Sequence, residues 1–128
     1  MFNLRVITLT ATLAVVAGAL VIAPFASAKD GDGIRVRGVC TQSSTAKLKL
    51  SREDRGIEVE FEVDQNRNGI PWKVTLRRNG SRVATRTVVT RAPSGSFSFR
   101  RVISGAHGTI LAVATRSSGE RCTAKAGI

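Results

Sequence analysis

Tyrosine is absent from the 128-residue sequence, tryptophan and histidine occur once each, and cysteine only twice. One histidine and one cysteine pair do not match the ligand number or spacing of a zinc site. Beyond residue 28 the tryptophan, Trp72, and the phenylalanines Phe61, Phe97 and Phe99 fall at apolar positions of alternating segments, so no aromatic there is left over to stack on bases. Acids are the other shortage, with Asp+Glu 9 against Lys+Arg 20 and a formal net charge of +11. Beyond residue 28 there is no apolar run long enough to span a bilayer and no helical periodicity. Length and counts together exclude a multi-domain enzyme and a polytopic membrane protein.

What is present begins with an export signal. Arg5 is followed by an apolar run from Val6 to Ala23, then Pro24 and the small-residue site Ala26-Ser27-Ala28. That order of basic, apolar and small-x-small segments marks residues 1–28 as a secretory signal peptide. Cleavage after Ala28 leaves about 100 residues, the size of one domain. Residues 29–33 form a short linker, and 34–128 the domain. Left uncleaved, the same run is an N-terminal membrane anchor. No twin-arginine pair is present, and Cys40 lies too far from Ala28 for lipoprotein processing. The expected location is secreted or extracellular, where Cys40 and Cys122 pair as a structural disulfide closing a long loop.

Period-two alternation dominates the remainder. In Ile57–Asp64 four apolar residues interleave with four acids, and Ala46–Leu50 alternates in the same way before a polar loop at Ser51–Gly56. A hairpin pairing Leu50 with Ile57 sets Leu48 against Val59 and Ala46 against Phe61. Its other side then matches Lys49 with Glu58 and Lys47 with Glu60. Asn79-Gly80 is a type I′ turn pair. Pairing Arg78 with Ser81 aligns Leu76 with Val83, Val74 with Thr85 and Trp72 with Thr87. Arg77 then opposes Arg82 and Lys73 opposes Arg86, like charges that call for solvent or an acidic partner. Ser96–Val102 offers Phe97 and Phe99 to the core, with a bulge or strand end expected at Arg100-Arg101. A last hairpin turning at Ser118-Gly119 aligns Leu111 with Ala126, Val113 with Ala124 and Thr115 with Cys122.

Parity places Cys40 with Ile34 and Val36, and Cys122 with Leu111 and Val113, so both sulfurs face inward. Short strands separated by turns at glycine indicate an all-β fold. The expectation is an antiparallel immunoglobulin- or fibronectin-like sandwich of about seven to eight strands, with a small barrel as the alternative.

The segment Glu58–Arg67, Trp72, Ala92-Pro93-Ser94-Gly95-Ser96-Phe97 and Glu120-Arg121-Cys122 together resemble small secreted actinobacterial proteins with an immunoglobulin-like sandwich. The resemblance implies a compartment and a fold. It implies no activity and no site residues.

Three groups of residues invite a chemical reading. Asp64-Gln65-Asn66-Arg67-Asn68-Gly69 follows the opening of a calcium loop, with Asp64, Asn66 and Asn68 as ligands. Thr75 stands where the bidentate glutamate belongs and Arg67 sits inside the loop, so an Asx-rich turn accounts for the same residues. Lys73, Arg77, Arg82 and Arg86 are expected on one side of a hairpin, with Arg35, Arg37, Arg116, Arg121 and Lys125 outward on other strands. Such a field attracts nucleic acid, wall teichoic or uronic polymers, or acidic lipid, and it also serves plain solubility. His107 is the only histidine, and no G-x-S-x-G elbow accompanies it.

The leading expectation is a secreted, non-enzymatic binding or structural module without cofactor. Cationic attachment to an anionic polymer is one alternative, and a small hydrolase using His107 is the other.

Overall fold

The computed structural model describes residues 33–128, so the expected export signal at 1–28, its alternative as an anchor and most of the expected 29–33 linker lie outside the described residues. The strands are β1 (Ile34–Arg37), β2 (Val39–Cys40), β3 (Thr45–Glu53), β4 (Gly56–Asp64), β5 (Pro71–Arg78), β6 (Ser81–Val89), β7 (Ser96–Ile103), β8 (Thr109–Thr115) and β9 (Arg121–Gly127). They form two antiparallel sheets, one ordered β1-β3-β4-β7 and the other β2-β9-β8-β5-β6. Two separate sheets make this a sandwich rather than the alternative barrel, and no helix among the described residues is long and apolar enough to cross a membrane. The strand count exceeds the expectation because the first strand divides at Gly38, where the chain passes from one sheet to the other. A Cβ there would lie 2.7 Å from the Thr123 carbonyl oxygen and 2.9 Å from the Ala46 Cβ, so only glycine fits the crossing.

The core lies between the sheets. Leu48, Leu50, Val59 and Phe61 from the first meet Trp72, Val74, Leu76 and Ile110 from the second, all essentially inaccessible to solvent. The Trp72 ring lies 6.1 Å from that of Phe97 at an interplanar angle of 55°, a tilted aromatic contact. Burying each such side chain stabilises the fold by about 1.5–3 kcal/mol.

The hairpins depart from expectation in instructive ways. β3 and β4 extend to Glu53↔Gly56 around a two-residue turn at Asp54-Arg55, so Ser51–Gly56 is largely strand rather than loop. The register therefore slides by two: Leu50 meets Val59, Leu48 meets Phe61, Lys49 meets Glu60 and Lys47 meets Glu62. An even slip preserves the inward set while lengthening the ladder. In β5–β6 the Asn79-Gly80 turn forms with φ of 48° and 85°, and Arg78↔Ser81 and Arg77↔Arg82 pair as expected. An irregularity beyond Arg77 then sets Leu76 against Ala84 and Val74 against Arg86. The bulge leaves Val83 unpaired and turns Ala84 and Val88 inward instead of Thr85 and Thr87, the better apolar choice.

β7 runs to Ile103 in unbroken register, without a bulge or end at Arg100-Arg101. β8 is shifted by one residue from expectation: Ile110, Ala112 and Ala114 face Ala126, Ala124 and Cys122, while Leu111, Val113 and Thr115 point outward. Cys40 and Cys122 form the expected disulfide, with Cα atoms 4.0 Å apart at a sequence separation of 82. They are direct partners on β2 and β9, so the bridge lies within one sheet rather than between sheets.

Candidate anion-binding face

Register across the five-stranded sheet determines which side chains share its outer surface, since directly paired residues project to the same side. Three rows result. Arg121, Thr115, Lys73 and Thr87 form one. Val39, Thr123, Val113, Thr75 and Thr85 form the middle one. Lys125, Leu111, Arg77 and Arg82 form the third. The outer rows carry Lys73, Arg77, Arg82, Arg121 and Lys125, and no carboxylate stands on this side among the described residues. None of these cations belongs to an ion pair among the described residues. Arg77 donates only to the carbonyl of Gly80, at 3.1 Å.

Lys73, Arg77 and Arg82 thus stand where expected, while Arg86 does not. The bulge places Arg86 opposite Val74, on the inner side of the outermost strand, where it remains exposed. Arg101 occupies the equivalent place on β7, opposite Val59. Inward charges on both edge strands guard that open side of the sandwich against pairing with another sheet. Arg121 and Lys125 were outward from sequence alone, but nothing there brought β9 within two strands of β5. Their signal is the run of alternation in Arg121–Lys125, which becomes informative only with the strand order.

The four-stranded sheet presents a different outer surface. Its rows read Arg35, Lys49, Glu60, Arg100 and Arg37, Lys47, Glu62, Ser98. Arg100 reaches Glu60 at 2.9 Å and Glu58 at 3.8 Å, and Lys47 reaches Glu62 at 3.5 Å. A groove of about 480 Å³ runs between these side chains.

The remaining carboxylate near the five-stranded sheet is hidden. Glu120 is fully buried before β9, where it accepts hydrogen bonds from the Ser44 N–H at 3.0 Å and the Ser44 hydroxyl at 2.8 Å. Arg116 Nε donates to it at 3.0 Å and its guanidinium lies 5.6 Å from the Trp72 ring centroid. Burial by itself pushes the Glu120 carboxyl up. The two Ser44 donors and Arg116 outweigh it and hold the carboxyl below its ordinary range. Sequence reasoning missed this latch because a lone glutamate in a loop carries no pattern.

Asp64 ends β4, and Asn66 and Asn68 lie in the β4–β5 loop. Asp64 Oδ1 accepts the Asn66 N–H at 3.1 Å, an Asx turn with Asn66 at φ 61°. Thr90 pins the loop further: its hydroxyl donates to the Arg67 carbonyl at 2.5 Å and accepts the Ile70 N–H at 2.9 Å. No cluster of three or more His, Cys, Asp and Glu with metal-binding geometry occurs among the described residues. His107 sits in the β7–β8 loop, where Arg78 donates to the carbonyls of Ser104 and His107 and anchors the segment. Among the described residues no side chain hydrogen-bonds the imidazole.

Compared with known protein families and with curated protein sequences, the chain matches none.

Proposed function

We propose that this protein is a secreted, non-enzymatic module that binds an anionic polymer through the outer face of its five-stranded sheet. The observation that carries the reading is the gathering of Lys73, Arg77, Arg82, Arg121 and Lys125 on one surface with no carboxylate beside them among the described residues. Like charges across a ladder repel, and the repulsion is relieved when a polyanion replaces their counterions. The disulfide fits an oxidising compartment, in keeping with export. The exposed imidazole of His107, approached by no carboxylate hydrogen bond among the described residues, gives the hydrolase reading no comparable support.

Binding of the oxidised protein to a panel of anionic polymers across a salt series tests the proposal. With about five phosphate contacts, affinity should fall a few hundred-fold between about 50 and 200 mM salt. A Lys73→Glu/Arg77→Glu/Arg121→Glu/Lys125→Glu variant should lose that binding, while Arg86→Glu retains most of it. Salt-insensitive binding, or binding that survives the fourfold reversal, would sink the idea.

A further inference from the structure

The edges of the two sheets are not equivalent. On one side β1 and β2 are strands of four and two residues, whereas β6 and β7 on the other run to nine and eight. A long edge presents a row of unpaired N–H and C=O groups, a template for a further strand. Among the described residues β6 pairs only with β5. It contains no proline and is rich in β-branched residues, with Val83, Thr85, Thr87, Val88 and Val89.

The core is not fully sealed along the seam between β6 and β7. Ala84, Phe97, Phe99 and Ile103 keep 4–8% exposure there, while their direct partners Leu76, Val63, Phe61 and Ile57 keep none. Toward this seam β6 turns Ala84, Arg86 and Val88, which oppose the inward residues Leu76, Val74 and Trp72. Arg86 is exposed, and no described carboxylate pairs with it.

These features specify the chemistry of an occupant. The β6 edge calls for a regular ladder of N–H and C=O groups, which a peptide strand supplies and a polysaccharide or nucleic acid does not. Residues of that strand set opposite Ala84 and Val88 turn toward the seam and cover the core, so they are apolar. The residue between them meets the Arg86 guanidinium, so it is acidic. β7 carries an inward arginine as well, Arg101, but the strand beside it holds Glu58, Glu60 and Glu62, which repel an acidic segment. The strand beside β6 holds Lys73 and Arg77 instead. A second copy of the chain would set Arg82 and Arg86 against their own kind, and that repulsion keeps the edge from pairing with itself.

We propose that β6 takes up an extended acidic peptide as an added strand, with the pattern apolar-x-acid-x-apolar set against Ala84, Arg86 and Val88. The site is separate from the cationic face, because Arg86 projects to the opposite side of the sheet from Lys73 and Arg77.

The probe is the peptide Thr-Val-Thr-Glu-Thr-Val-Thr, titrated into the oxidised protein with backbone NMR shifts as the readout. It should bind about tenfold tighter than its central-glutamine counterpart, a preference that vanishes in Arg86→Gln and survives Arg121→Glu/Lys125→Glu. Arg86 is exposed, so its replacement leaves the fold intact. N-methylation of alternate peptide residues separates strand addition from loose charge attraction, because only one of the two alternating sets faces β6. One set should abolish binding and the other preserve it, with amide exchange slowed along β6 and not along β1. Equal binding of the two N-methylated sets, a glutamate preference that persists in Arg86→Gln, or no binding of the peptide overturns the proposal. So does self-association of the protein through β6, read as a dimer in sedimentation with slowed exchange along that strand. None of these outcomes bears on the polymer-binding face, whose own test is the fourfold charge reversal.

Discussion

On the four-stranded sheet Arg35, Arg37, Lys47, Lys49 and Arg100 stand among Glu58, Glu60, Glu62 and Asp64, whereas on the five-stranded sheet Lys73, Arg77, Arg82, Arg121 and Lys125 stand among threonines. The same cation count therefore produces opposite surfaces. On the first, the β4 glutamates stand between the β3 lysines and Arg100, and part of the field is cancelled within the sheet. On the second, the field projects outward, because the nearest glutamate, Glu120, is buried and committed to Ser44 and Arg116. Local pairing, not overall charge, decides which side of a basic protein attracts an anionic partner.

The sheets are also held together differently, and the largest expected effect tests that contrast. The five-stranded sheet is stapled at its β2–β9 edge by Cys40–Cys122, across 82 residues of chain. Chain entropy assigns such a loop about 4–5 kcal/mol, so Cys40→Ala/Cys122→Ala should lower stability by up to that amount in denaturant titration. The exposed Lys47–Glu62 pair on the other sheet contributes about 0–1 kcal/mol, and Glu62→Gln should barely move the same curve.

Next in size is the hidden carboxylate. Glu120→Ala strands the Ser44 donors and Arg116 and should cost about 3 kcal/mol in thermal or denaturant unfolding. Because the folded carboxyl lies below its ordinary value of about 4.3, ionised Glu120 contributes stability above that pH. The contribution is lost as pH falls from about 4.3 through the lower folded value. Glu120→Gln should flatten that part of the acid-stability profile, and an unchanged profile would show that Glu120 is not its source.

The smallest effects come from exchanging the character of the two faces. Thr75→Glu places a carboxylate between the cationic rows, as Glu60 stands between Lys49 and Arg100, and should weaken polyanion binding about tenfold. Glu60→Thr on the opposite sheet releases Arg100 and should strengthen weak, salt-sensitive binding there about two- to threefold. Equal responses to the two substitutions would erase the distinction between the faces.

Much of the frame was readable along the chain. Ile57–Asp64 reads as a half-buried strand, Asn79-Gly80 as a tight turn and the two cysteines as a disulfide, although Cys122 shares its side with Ala112 and Ala114 and not with Leu111 and Val113. The face was not readable to the same degree. Ile110–Ala114 is apolar at every position, so alternation supplies no parity for β8, and a one-residue error there reverses which side Leu111 and Val113 occupy. The bulge beside Val83 moved Arg86 off the cationic surface for a related reason: Ala84 and Val88 were weak competitors to Val83 on paper but better fits to the core.

Alternation and turn chemistry act between near neighbours, which is why an all-β fold with tight turns follows from the residues alone. Bringing Arg121 and Lys125 into line with Lys73 and Arg77 depends on β9, β8 and β5 lying side by side. That order is settled by long-range burial and loop closure, which no local pattern records. A cationic face assembled across several strands therefore exists only once the sheets have formed.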